Sequence, residues 1–135
     1  MPAVLNKRTM RPGQKGQYCG RGSKWGNRNR MMTEADRNAV CDQHEIDLYH
    51  DNALLRALDD LRGGDLIYFC APKRCHCDLL LRLANATRQE RIDWFLAVRR
   101  NWVRNGNIGR SVRLLFELFD GCLSAPCRQF QSSRD

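Results

Sequence analysis

Residues 65–78 read DLIYFCAPKRCHCD, and the change of pattern inside this stretch decides the fold. After Asp65 comes an unbroken apolar and aromatic run, Leu66 to Cys70, with no polar alternation. That continuity marks a strand covered on both faces, the habit of a central strand in a parallel sheet. The run then breaks at Ala71-Pro72, and DLLLRLAN (78–85) reads as a short helix with the Asp78 carboxylate near its positive end. Strand, turn and helix in this order put a strand-to-helix loop at 70–77, the place where α/β domains build their sites.

Working upstream, Leu54, Leu55, Leu58 and Leu61 share one helical face, with Asp51 or Asn52 as cap and Gly63-Gly64 as stop. Before them, Val40, Cys41, His44 and Leu48 recur at helical spacing and predict a helix over 34–48, opened by Thr33. The segments AVLNKR (3–8) and GQYCG (16–20) are β-prone and separated by a Pro-Gly turn. Downstream, Thr87-x-x-Glu90 is a capping-box pattern for a helix to about Arg104. Residues 110–120 form another amphipathic segment with Val112, Leu115, Phe116 and Phe119 on one stripe and Gly121 as stop, and a loose tail comes after it. The order β, β, α, α, β, α, then α, α predicts a small, three-layer-like α/β domain over 1–86 with a short, mainly buried sheet. A helical C-terminal extension occupies 87–135.

The chain has 135 residues, 42% of them hydrophobic, enough for one core. No run reaches the roughly 20 apolar residues of a membrane span, and MPAVLNKRTMRPG lacks the apolar stretch of a secretion signal. The expected location is the cytoplasm, with no membrane partner. Seven cysteines, an odd number, then read as reduced thiols used for packing, metal binding or chemistry. The net charge of +8 divides unevenly: residues 1–30 carry eight cations and no acid, 31–86 are net acidic, and 87–135 are basic again. Such ends attract polyanions or phosphorylated ligands, including nucleic acid without sequence preference.

Two stretches concentrate chemistry. GRGSKWGN (20–27) combines glycines, whose backbone N–H groups a phosphate can approach closely, with donors from Arg21, Ser23 and Asn27 and a stacking surface in Trp25. The candidate ligand-binding residues are therefore Gly20, Arg21, Gly22, Ser23, Trp25, Asn27 and, from the second stretch, Asp78. The opposing possibility is a tight turn anchored by Trp25. In the second stretch, Cys75 and His76 at a helix start, near Lys73 and Arg74, form a candidate catalytic pair, because each neighbour favours a thiolate. Zinc on Cys70, Cys75, His76 and Cys77 uses the right ligand types, but no second Cys-x-x-Cys pair supports it, and no metal or cofactor is assigned. A purely structural role for the thiols and for His76 stays open. His44 and His50, among Asp42, Glu45, Asp47 and Asp51, read as solvated helix surface. Cys122 and Cys127 read as free tail thiols.

NKR, YCGRGSKWGN, EADR, LRGGDLIYFCAP and RCHCDLLLRLAN, in this order and spacing, resemble the family numbered 4326 among domains of unknown function, frequent in phages and bacteria. The resemblance spans about residues 4–86. It implies a small α/β domain defined by the glycine–tryptophan loop and the cysteine–histidine turn, here Gly20, Arg21, Gly22, Trp25, Gly26, Asn27, Cys70, Pro72, Cys75, His76 and Asp78. The chain departs from the pattern at Arg28-Asn29, where Pro-Phe is usual, and at Cys77, where a glycine or small residue is usual.

Function is expected to be the binding of a phosphorylated small ligand, a nucleotide or a metabolite derived from one, between these two loops, with or without cysteine-dependent chemistry. The alternative is a non-catalytic, phage-type accessory protein whose basic ends hold nucleic acid or an acidic host protein. The apolar stripes of 88–104 and 110–120 are expected to pack back on the domain or on a second copy, giving a monomer or a homodimer.

Overall fold

Three short strands, β1 (Val4–Asn6), β2 (Gln17–Tyr18) and β3 (Leu66–Tyr68), form one parallel sheet in the order β1-β3-β2. The computed structural model describes residues 1–113 and 115–119, so the expected stop at Gly121, the tail and the thiols of Cys122 and Cys127 lie outside the described residues. β3 is central, as expected of its unbroken apolar run, but the strand is not buried on both faces as expected: Leu66 is buried, Ile67 and Tyr68 are half-buried and Phe69 is exposed, because so short a sheet is not fully covered. Its backbone is engaged on both sides: Leu66 N donates to Ala3 O at 3.0 Å, and Cys19 N donates to Ile67 O at 3.0 Å. Because β1 and β2 run the same way, the chain between them must cross from one end of the sheet to the other. The three carboxyl ends therefore meet at one edge, which brings together residues 7–8, 19–27 and 69–75.

The helices are α1 (Arg37–His50), α2 (Asn52–Ala57), α3 (His76–Ala84), α4 (Arg88–Arg104) and α5 (Leu115–Leu118). A 3₁₀ turn, Glu34–Asp36, precedes α1, and another, Leu58–Leu61, continues α2 to Gly63, whose φ of 81° is open to glycine at little cost. α1 starts later than the 34–48 expectation because the Asp36 carboxylate accepts the N–H groups of Met32 and Thr33, tightening the first turn. α3 starts earlier than Asp78. Cys75 is its N-cap and donates its N–H to the Asp78 carboxylate at 3.0 Å, so Asp78 closes the first turn instead of opening the helix. The shift draws His76 and Cys77 into that turn, where both are buried.

α4 spans the predicted residues, and its capping box is present: Glu90 N donates to Thr87 Oγ1 and Thr87 N to the Glu90 carboxylate. Its Ile92, Trp94, Phe95 and Val98 enter the same apolar core as Trp25, Leu48, Leu66 and Leu80, joined by Leu115, Leu118 and Phe119. These side chains of the extension thus pack back on the domain itself.

One charged side chain is sealed into this junction. Arg91, 2% exposed, donates to the carbonyls of Leu83 and Ala84, the last residues of α3, and to the Asp59 carboxylate at 2.8 Å. It satisfies helix-end acceptors that water cannot reach. Arg91→Leu should lower the unfolding free energy by roughly 3–5 kcal/mol, because removing one partner strands the others in the interior. Urea denaturation measures this, and a loss under ~1 kcal/mol would show that the carbonyls at the α3 terminus find other donors.

Candidate functional site

The glycine loop leaves β2 at Cys19 and turns back on itself. Ser23 donates both its N–H and its hydroxyl to Gly20 O, at 3.1 and 2.7 Å, and Gly26 N donates to Ser23 O. The two arms of this loop are so close that a Cβ on Gly26 would lie 2.7 Å from Gly20 O. That compactness corrects the stacking role expected of Trp25. Its side chain is 3% exposed and packs in the core, and the Lys24 ammonium lies over its ring at 5.2 Å, within cation–π range. Trp25 anchors the loop from below. Asn27 ties its exit to α1 by donating to Val40 O at 3.2 Å, and its side-chain carbonyl accepts from Asn29.

The second motif loop is fastened beside it. Asn6 donates its amide to the carbonyls of Phe69 and Ala71, fixing the exit of β3. The decisive bond is buried: His76 Nε2 lies 2.8 Å from Cys19 O and donates to it. The Tyr68 ring meets the His76 ring edge-on at 4.8 Å. Burial holds the His76 pKa below its ordinary value, so the imidazole is neutral at pH 7.

Between the loops and α1 lies a cavity of about 230 Å³, lined by Arg21, Asn27, Asn29, Arg37, Tyr68, Cys70 and His76 among others. Arg21 and His76 therefore face one space. Arg37 is committed elsewhere, since its guanidinium pairs with Glu34 at 2.7 Å and donates to Arg74 O. Arg21 forms no ion pair with any described residue, and the N–H groups of Arg21 and Gly22 take no partner among them. Arg21 also borders an open groove of about 600 Å³ with Gly22, Ser23, Lys24, Asn27, Arg28 and Arg30. A cation without a counter-charge among the described residues, at the junction of a cavity and a basic groove, is suited to an anion.

Cys75 opens elsewhere. It borders a separate cavity of about 210 Å³ with Cys41, Arg74, His76 and Asp78, so Cys75 and Asp78 do not face Arg21. Asp78 serves as the α3 cap in place of the ligand-binding role expected of it. The Cys19 thiol donates to Gln17 O at 3.4 Å, and the Cys77 sulfur lies 3.7 Å from His76 Nε2. The neighbouring Cys77 thiol holds the Cys19 and Cys75 pKa values below the ordinary cysteine value, and that of Cys77 itself is raised. Cys75 is nevertheless 5% exposed.

His44 is a correction to the sequence reading. It is buried, not solvated, with Nδ1 unpartnered among the described residues and its ring 5.0 Å from that of His76. His50 is exposed and bonded to Ile46 O. The residues that sequence reasoning missed are Arg37, Asn29 and Tyr68, which line the cavity only because α1 and β3 cross the glycine loop. Asn29 alone left a trace, as a polar residue next to the motif; it donates to Asp47 at 2.8 Å.

The family described as domain of unknown function DUF4326 matches residues 4–86, more than half of the chain, and the chain belongs to it. No curated protein and no solved structure matches the chain.

Burial is also the first cause that lowers the His44 pKa to about 4 from 6.5. A histidine depressed in the native state binds fewer protons there than when unfolded, so its contribution is whole above pH 6.5 and is lost as pH falls toward 4. The loss amounts to roughly 3 kcal/mol. His44→Gln should flatten stability between pH 6.5 and 4, measured by urea midpoints across that window; an unchanged acid limb would show that His44 charges without opening the core.

Proposed function

We propose that this DUF4326 member binds a phosphorylated small molecule, a nucleotide or a metabolite derived from one, with its phosphate at Arg21 and its body in the cavity beside Tyr68 and His76. The observation that carries the reading is Arg21: a guanidinium without an ion-pair partner among the described residues, facing both the 230 Å³ cavity and the basic groove. The guanidinium fork and the N–H groups of Arg21 and Gly22, which have no partner among the described residues, would share the phosphate oxygens. Lys24, Arg28 and Arg30 draw the anion in without contributing shape. The Tyr68 hydroxyl, whose pKa burial raises, is a donor or acceptor for the uncharged part of the ligand. Trp25 and Asp78 are outside the contact set, and binding requires no chemistry from Cys75, which faces away.

The proposal is tested by titrating the full chain with nucleoside mono- and diphosphates and pentose phosphates, followed by calorimetry. Arg21→Ala should weaken the best binder about tenfold to a hundredfold, the worth of a charge-assisted contact. Arg21→Lys should recover only part of it, since the fork is lost. Equal affinity in wild type and Arg21→Ala would remove phosphate from this loop.

A second reading, sequence-independent attraction of single-stranded nucleic acid, is favoured by a different patch. Lys7 Nζ lies 5.0 Å from the Tyr18 ring, and the Arg8 guanidinium 5.5 Å from the ring of Phe69, which is 37% exposed. Cations beside accessible aromatic faces suit stacked bases. Phe69→Ala should weaken oligonucleotide binding at low salt while leaving nucleotide binding unchanged; binding that ignores both salt and Phe69 would oppose this reading.

A further inference from the structure

The second cavity borders something that the phosphate reading does not use. At the start of α3, Cys75, His76 and Cys77 offer ligand atoms that all lie within 4.8 Å of one another, and all three residues are buried. Cys19, 0% exposed, lies against this cluster from the end of β2: its carbonyl holds His76, and its thiol donates to Gln17 O at 3.4 Å. Two thiols and an imidazole thus cluster at the start of α3, with Cys19 beside them from the other loop.

We infer that Cys19, Cys75, Cys77 and His76 form a structural zinc site that fastens the glycine loop to the start of α3.

Four observations support it. The donor set, three sulfurs and one imidazole nitrogen, is that of closed structural zinc sites. The separation of His76 Nε2 from Cys77 Sγ is 3.7 Å. Bond lengths of about 2.3 Å to sulfur and about 2.0 Å to nitrogen place tetrahedral neighbours roughly 3.5 Å apart. Neighbours along a chain rarely aim at one ion, but here the extended N-cap conformation of Cys75 (φ −149°, ψ 170°) precedes helical His76 and Cys77, which separates the directions of their side chains. The fourth ligand in this inference is Cys19, which its carbonyl brings beside His76 and whose thiol would leave Gln17 O for the metal. Cys70, the residue suggested by sequence proximity, instead lines the cavity of Arg21. Finally, the 210 Å³ cavity beside Cys75 provides an approach, and its Arg74 and Arg82 offset thiolate charge.

Binding is an exchange without redox change. Zinc displaces the thiol protons of Cys19, Cys75 and Cys77, which leave to solvent, and takes the lone pair of His76 Nε2, with the ring proton then on Nδ1. The Nε2–H bond to Cys19 O gives way to the metal bond, so the two loops stay joined through the ion.

The test uses the full chain, reduced and stripped with chelator, then titrated with cobalt(II) and with zinc in competition. We expect a thiolate-to-cobalt charge-transfer band and tetrahedral ligand-field bands that saturate at one equivalent and vanish on adding zinc. Cys19→Ser and Cys77→Ser should each weaken cobalt at least tenfold, whereas Cys70→Ser, Cys41→Ser and Arg21→Ala should leave the spectrum unchanged. Circular dichroism establishes that each variant is folded, and the wild-type titration stands even where one is not. Absence of tetrahedral bands in the reduced wild type, or a Cys70→Ser loss equal to that of Cys19→Ser, would overturn the inference. Because Arg21→Ala leaves the metal ligands intact, failure of the phosphate reading and failure of the zinc site give different results.

Discussion

The hydrogen bond from His76 Nε2 to Cys19 O spans 57 residues of sequence and is buried. Cys19 ends the last rung of the sheet, and beyond it the chain must turn away while its carbonyl still points into the core. An acceptor left there alone costs about 1–3 kcal/mol. His76 removes that cost, and in doing so it fixes how the two motif loops sit: the Arg21 loop cannot move from α3 without exposing a paired donor and acceptor. Because the imidazole is neutral, it bonds the carbonyl without carrying a charge into the core.

Around this bond the surface pairs act differently. Glu34 bridges Arg37 and Lys73, and Arg74 reaches Asn38 and Asp42, stitching α1 to the turn after β3. Exposed pairs of this kind contribute about 0–1 kcal/mol each, too little to hold the architecture. Their effect is on charge. They engage the cations near the turn and leave Arg21 as the guanidinium facing the cavity without an acid among the described residues, so an anion from outside meets one site and not several.

The features legible in sequence and the hidden ones divide by range. The Thr87–Glu90 capping box and the apolar run of β3 are legible because partners lie within a few residues or the pattern itself is the signal. His44 shows a choice between two signals: helical spacing sets it on the face of Cys41 and Leu48, while its acidic neighbours suggest solvent. The spacing prevails: Asp42 and Gln43 project away from this face, and Asp47, one turn on, stays exposed while His44 is drawn inward with Cys41 and Leu48. Trp25 reads as a ligand surface in sequence because glycines around an aromatic imply accessibility. Here Gly26 is required by the close approach to Gly20, which leaves the ring no direction but inward. The meeting of Cys19 with Cys77 is hidden altogether, since no local pattern links positions that only the sheet order brings together.

The family match ends at residue 86, yet the site depends on α4, which lies outside it. α3 carries His76 in its first turn, and a nine-residue helix is too short to hold its own position in water. It is fixed at the start by the Cys75–Asp78 cap and the Cys19 bond, and at the end by Arg91 from α4, which takes the carbonyls of Leu83 and Ala84. Arg91 in turn is held by Asp59, in the turn leading to β3. A chain cut after residue 86 would therefore keep every residue of both motifs and lose the clamp that aims α3 at the glycine loop. α4 acts on the site through the position of α3, without touching it.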